Sequence, residues 1–251
     1  MLDFALLFIA GLLGGMLNAV AGGGTFITFP ALVFIGIPPV AANATSTIAA
    51  LPGYLSSAIG FRDDIRRIHA APMLRLTVWT MIGGAVGSGL LLVSSNKAFS
   101  ALVPFLLLAA TLVFHRADDV RRMASRWQSV VKPFGLGILL PVAIYGGYFN
   151  GGLGIVLLAV FAMWGMTDLH EMNGLKCWLS FALSMIAFAV FAVGGTVAWG
   201  PAAIMALGTI AGGYAGAPVA RRIPRHALRT LIAVVGFGMT AIFFWRLIQG
   251  A

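Results

Sequence analysis

Charge is scarce in this chain. Only 9% of its 251 residues are charged, where a soluble domain carries about 25%. Seven are acidic and sixteen are Lys or Arg. So few charges exclude an ordinary water-facing surface. Cysteine is nearly absent, with Cys177 alone. That excludes an internal disulfide framework and any multi-cysteine metal site, and leaves a small apolar packing residue. The four histidines, His69, His115, His170 and His226, are scattered at loop edges, and neither H-E-x-x-H nor G-x-S-x-G occurs. Without such a constellation the chain is expected not to be an enzyme, and no cofactor or metal is expected. The first apolar stretch also lacks the basic n-region and A-x-A-like site of a cleavable signal peptide, with Asp3 as its only charge.

What the chain has instead is apolar length. It is 60% hydrophobic, with long apolar runs at 2–20, 73–93, 98–114, 172–193 and 228–247. A membrane crossing needs about 20 such residues. The reading is an all-α polytopic membrane protein in a lipid bilayer. Thirteen of the sixteen basic residues fall in three short loops. These are Arg62, Arg66, Arg67 and Arg75; then Arg116, Arg121, Arg122, Arg126 and Lys132; then Arg221, Arg222, Arg225 and Arg229. Short basic loops mark the cytoplasmic side and also suit anionic lipid. Loops 61–75, 115–132 and 221–229 are therefore expected to be cytoplasmic, in a multi-pass protein of the plasma (inner) membrane. The same clustering accounts for the net charge of +9 without nucleic acid.

The chain repeats itself. "GGMLN" (14–18) returns as "GGYFN" (146–150), Asn43 is matched by Asn173, and "IGGAVGS" (82–88) resembles "IAGGYAG" (210–216). Five helical segments are expected in each half: 3–21, 25–36, 40–60, 72–92 and 98–114, then 133–149, 153–165, 171–193, 200–220 and 227–248. An odd number turns the second half upside down. The basic loops agree, because the loop after the third segment is basic in the first half and the loop after the fourth in the second. The expected organisation is a first repeat at 1–115, a basic linker at 116–132 and a second repeat at 133–251. The two are inverted, each with a glycine-broken hairpin, and the N-terminus lies outside.

The breaks point to function. Glycine costs a helix about 1 kcal/mol relative to alanine, yet Gly22, Gly23 and Gly24 stand together in an apolar stretch. Inverted-repeat transporters place substrate sites near the midplane, where interrupted helices aim their N-termini at anions. Thr25 is expected to cap the second segment. Asn150, Gly151 and Gly152 make the matching break. Asn18, Asn43, Thr45, Asn173 and Lys176 are expected to line the same place. Lys176 is the one charge well clear of a loop, and an intramembrane ionisable group is a functional candidate. Its alternative is snorkelling toward the interface. Gly84 with Ser88 and Gly212 with Gly216 read as helix contacts of small-xxx-small type. Glycine-rich faces allow a homodimer without requiring one.

The stretch 11–60, "GLLGGMLNAVAGGGTFITFPALVFIGIPPVAANATSTIAALPGYLSSAIG", resembles the first-half signature of the sulfite exporter TauE/SafE family, also called the 4-toluene sulfonate uptake permease family. Residues 146–154 and 212–236 resemble it too. At 172–180 the chain reads "MNGLKCWLS", where the family has a Thr-rich, small-residue repeat. The resemblance implies a membrane transporter of small sulfur-containing anions (sulfite, sulfonate or sulfoacetate) working by alternating access. The alternatives are an anion channel or a carrier of a non-sulfur anion. All seven acids lie in loops or at helix ends, so coupling is expected to use Glu171, Lys176 or a proton carried by the substrate.

Overall fold

The computed structural model describes residues 2–20, 22–68, 70–126, 132–220 and 225–248, all helices and connections with no strand among them. The first half contains α1 (Leu2–Val20), α2 (Thr25–Phe34), α3 (Pro39–Gly60), α4 (Arg62–Ile65), α5 (Ala70–Val93) and α6 (Asn96–His115). After α7 (Ala117–Ser125) come α8 (Leu136–Tyr148), α9 (Leu153–Met163), α10 (Leu169–Val193), α11 (Trp199–Ala220) and α12 (Arg225–Ile248). All ten expected segments are helices. The differences are at ends, and in two short helices where the sequence reads as loop. Helix α4 follows directly on α3. Helix α7 carries Asp118 and Asp119 in its first turn and Arg122 in its last, the polarity its dipole favours. Helix α8 starts three residues later than expected because Gly135 N–H bonds the Lys132 carbonyl in a turn. Arg221 and Arg222, with His69, lie outside the described residues.

The second member of each half is short, with 10 residues in α2 and 11 in α9. At 1.5 Å per residue each is about 15 Å long, half of a ~30 Å hydrocarbon core. Local chemistry sets these lengths. Gly36 and Gly165 take positive φ just past the two helices, at +90° and +85°, the usual glycine stop. Pro38 and Pro39 then open α3. Asp168 caps α10 by accepting from the N–H groups of His170, at 2.7 Å, and Glu171, at 3.3 Å. Among the described residues, four helices are long and apolar enough to cross a membrane by themselves: α1, α5, α6 and α10. Their outer faces expose Phe4, Val86, Leu90, Phe105 and Met185, an apolar surface suited to lipid.

Packing pairs the halves crosswise. Helix α1 lies along α11 and α5 along α8; α3 packs on α11 and α10 on α5; α3 meets α10 at the centre and α6 meets α12. Exchanging each first-half helix for its second-half counterpart turns α1–α11 into α5–α8 and α3–α11 into α5–α10, and leaves α3–α10 and α6–α12 unchanged. The α1–α11 contact is backbone on backbone: a Cβ on Gly212 would sit 1.9 Å from the Leu12 carbonyl oxygen. The α5–α8 contact repeats this, with Gly87 against the Ile144 carbonyl at 2.0 Å. Small residues let membrane helices approach this closely, and Gly84, Ser88 and Gly212 act as such contacts, while the Gly216 side of that expectation lies outside what is described. Helices α3 and α10 run antiparallel. Arg67, just past α3 and α4, reaches Asp168 at the start of α10, with 3.9 Å between charged atoms. At the other end, Ala198 N–H, just past α10, donates to Thr45 Oγ1 near the start of α3 at 3.1 Å.

Two apolar cores hold the bundle. In one, Phe29 of α2 stacks on Phe243 at 5.8 Å between centroids and meets Phe99 and Phe149 edge-on. In the other, Leu139, Leu153, Phe161, Leu175 and Leu179 pack α8, α9 and α10 together.

Candidate functional site

The two helix breaks meet. A Cβ on Gly22 would lie 2.5 Å from the Gly154 Cα, and one on Gly154 would lie 2.6 Å from the Gly22 Cα. No side chain fits between them. Gly22 also sits at φ +79°, where a non-glycine residue is strained. The starts of α2 and α9 are thus brought to one buried place.

Each break is stitched differently. In the first, Asn18 Oδ1 accepts the Gly24 N–H at 2.8 Å. The cap residue of α2 is Gly24, and its side-chain partner comes from α1. This corrects the expectation for Thr25, which is the first residue inside the helix and is buried. The orphan N–H of a helix start needs an acceptor, and Asn18, folded back by the glycine turn, is nearer than any residue ahead. Thr28 then bonds Ser46 of α3, with 2.6 Å between hydroxyls. In the second break, Gly152 caps α9 at φ +72° and Asn150 itself sits at +61°. The Asn150 amide is 1% exposed, yet neither its oxygen nor its nitrogen has a hydrogen-bond partner. Tyr145 donates to the Gly151 carbonyl.

Lys176 lies beside the crossing. It is 0% exposed, so the snorkelling alternative is overturned. The residue sits seven positions into α10, about 10 Å from the helix start at 1.5 Å per residue, and turns inward. Its side-chain carbon Cδ would be 3.1 Å from a Cβ on Gly154. Nζ donates to Asn173 Oδ1 at 2.9 Å and to the Ala19 carbonyl at 3.4 Å. Ala19 belongs to the last turn of α1. Gly22 N–H bonds back to Leu17 instead, and the lysine takes the Ala19 carbonyl. No acid among the described residues pairs with Lys176; the ion pairs present join Arg62, Arg66 and Arg67 to Asp63, Asp64 and Asp168.

The structure gathers Asn18, Gly22, Gly23, Gly24, Asn150, Gly151, Gly152, Asn173 and Lys176 around the two breaks. Asn43 reaches the second break from α3, donating from Nδ2 to the Tyr148 carbonyl at the end of α8 at 2.9 Å, with its oxygen unpartnered. Thr45 stands apart, holding Ala198. Sequence reasoning passed over Tyr54, which is 2% exposed and lies beside both Asn150 and Cys177, outside hydrogen-bonding geometry with the amide. The signal was present: Asn43, Thr47 and Tyr54 recur at i, i+4 and i+11, one face of α3. Ser180 and Ser184, one and two turns beyond Lys176, also carry buried hydroxyls without partners. A separate cavity of about 230 Å³ opens between α7, α9 and α10, with Arg122 on its wall, and includes none of the crossing residues.

Comparison with known proteins agrees over nearly the whole chain. The family described as sulfite exporter TauE/SafE matches residues 7–243. A "Probable membrane transporter protein" of Haemophilus influenzae is 29% identical over 238 residues, covering 94% of this chain and 92% of that protein. "Probable membrane transporter protein ORF9" of a Sinorhizobium species is 27% identical, covering 94% and 90%. "Probable membrane transporter protein YfcA" of Escherichia coli K12 is 24% identical, covering 94% and 87%. No solved structure matches.

Proposed function

Because the chain belongs to the sulfite exporter TauE/SafE family, we propose that it moves a small sulfur-containing anion (sulfite, a sulfonate or sulfoacetate) across the membrane by alternating access. The observation that carries this reading is the meeting of Gly22 and Gly154 beside a fully buried lysine with no acid partner among the described residues. Two helix N-termini begin there, and their partial positive ends favour an anion. The unpartnered Asn150 amide supports the same reading, since buried polar groups are normally satisfied.

We read the two halves as an inverted repeat, with the dividing stretch at 116–132. The crosswise packing and the antiparallel course of α3 and α10 support this. On that reading the N-terminus is outside, loops 61–75, 115–132 and 221–229 are cytoplasmic, and the protein sits in the plasma (inner) membrane. Cysteine labelling that found 61–75 and 221–229 on opposite faces would sink the arrangement.

The test of function is flux in proteoliposomes, comparing sulfite, sulfoacetate, an aryl sulfonate, sulfate and chloride. Selective, saturable passage of a sulfur anion is expected, and it should be lost in Gly22→Leu. Equal passage of all five at channel-like rates would overturn the carrier. No passage of any, from folded protein, would remove transport of these anions.

A further inference from the structure

Carriers built on broken helices commonly place a coupling cation against unwound carbonyls and the C-terminal end of a half-helix. In this protein a side chain fills such a place. Lys176 Nζ is held by the Ala19 carbonyl in the last turn of α1 and by Asn173 Oδ1. It is 0% exposed and has no acid partner among the described residues. We propose that the Lys176 ammonium is a tethered coupling cation, standing where a free sodium ion would otherwise bind, so that anion movement is coupled to a proton carried on this lysine and is independent of sodium. The proposal rests on the transport reading above.

Donor arithmetic supports it. An ammonium has three N–H donors, and two acceptors are in place. The third is free for an anion oxygen. A neutral amine keeps two N–H donors, enough for both Ala19 and Asn173. The protonated form thus suits the loaded carrier and the neutral form the empty one. The cycle balances: one anion and one proton bind from the same side, with the proton on Nζ, and both leave on the other side. The amine returns uncharged. Carrying an unpaired ammonium back across the membrane would be expensive.

The groups around Lys176 leave few rivals. Helices α1, α3, α4, α5, α8 and α9 pack against α10. Their titratable or charged residues are Asp3 on α1; Tyr54 on α3; Arg62, Asp63 and Asp64 on α4; Arg75 on α5; and Tyr145 and Tyr148 on α8; α9 has none. On α10 itself are His170, Glu171 and Cys177. Of all these only Tyr54 and Cys177 are buried, and neither is a carboxylate.

The experiment is accumulation of labelled sulfite and of 4-toluenesulfonate in proteoliposomes under a proton gradient, with sodium present or replaced by choline. Counterflow exchange of each anion is measured in the same vesicles. Wild type is expected to accumulate anion with the proton gradient, unchanged by sodium removal. Lys176→Arg keeps a permanent charge, so gradient-driven accumulation should be lost, and whatever exchange remains should not respond to the proton gradient. Lys176→Gln, which can still donate to both acceptors, should also lose the gradient response. Sodium-driven accumulation by wild type would overturn the proposal, as would a wild-type proton response in both variants. Absence of exchange in wild type would instead refute transport of these probes, and the coupling scheme with it.

Discussion

The two breaks touch each other and yet are finished differently. At the first, the last turn of α1 is closed by a cationic side chain from the other half, Lys176. At the second, the last turn of α8 is closed by a neutral amide from the other half, Asn43 on Tyr148. The breaks' own asparagines also differ: Asn18 accepts the Gly24 N–H through its oxygen, while neither amide atom of the buried Asn150 is in hydrogen-bonding geometry with a partner. The first break is thus tied through Asn18 and Lys176, while the second leaves the Asn150 amide without a partner. On the transport reading proposed above, the difference separates scaffold from site.

The largest expected effect comes from driving the breaks apart. Gly22→Leu places a side chain into the Gly154 backbone and holds φ near +79°. Flux should vanish, with size-exclusion chromatography in detergent reporting whether the fold survives; full flux would refute the crossing as the working centre. Next come the two asparagines. Asn18→Ala leaves the buried Gly24 N–H without an acceptor, a loss of about 1–3 kcal/mol, seen as lower thermal stability. Asn150→Gly suits the positive φ and removes an unsatisfied amide, so it should hold or raise stability while weakening apparent anion affinity. Equal effects of the pair would erase the contrast. Smaller again is Glu171→Gln: it sits at the mouth of α10, half-buried, and proton-driven flux should be unchanged. A collapse there would move coupling from Lys176 to Glu171.

The smallest effect is at the rim. Asp168 accepts the His170 and Glu171 N–H groups and lies near Arg67, and those backbone bonds, chiefly the one from His170, hold its carboxyl below the ordinary carboxylate range. A depressed value means the contribution to stability is present at neutral pH and is lost only as pH falls through that lowered value. Asp168→Ala should therefore reduce the melting temperature slightly at pH 7, with the gap to wild type closing in strong acid. A gap that widens in acid would contradict this.

Apolar composition made the ten segments legible, and three adjacent glycines made the first break legible, because both are local features of the chain. Lys176 could be singled out because a lone charge in an apolar run is conspicuous, although its two acceptors lie on different elements and only one, Asn173, is on its own helix. Helices α4 and α7 escaped notice since their charge-rich composition resembles a solvated loop, and only packing of α7 on α9 reveals its buried Ala124. Thr25 looked like a cap from its position alone; the competing amide, six residues back from Gly24, wins because the glycine turn folds it over. Tyr54 was overlooked because an aromatic residue in an apolar helix reads as ordinary core.

The glycine crossing also has a mechanical side. Interlocked side chains resist sliding, because knobs must climb out of their holes before either surface can shift. Where Gly22 lies on Gly154 there are no knobs. On the alternating-access reading proposed above, this contact without knobs is where one half would turn on the other, and the interlocked Phe29, Phe99 and Phe149 rings are what would limit it.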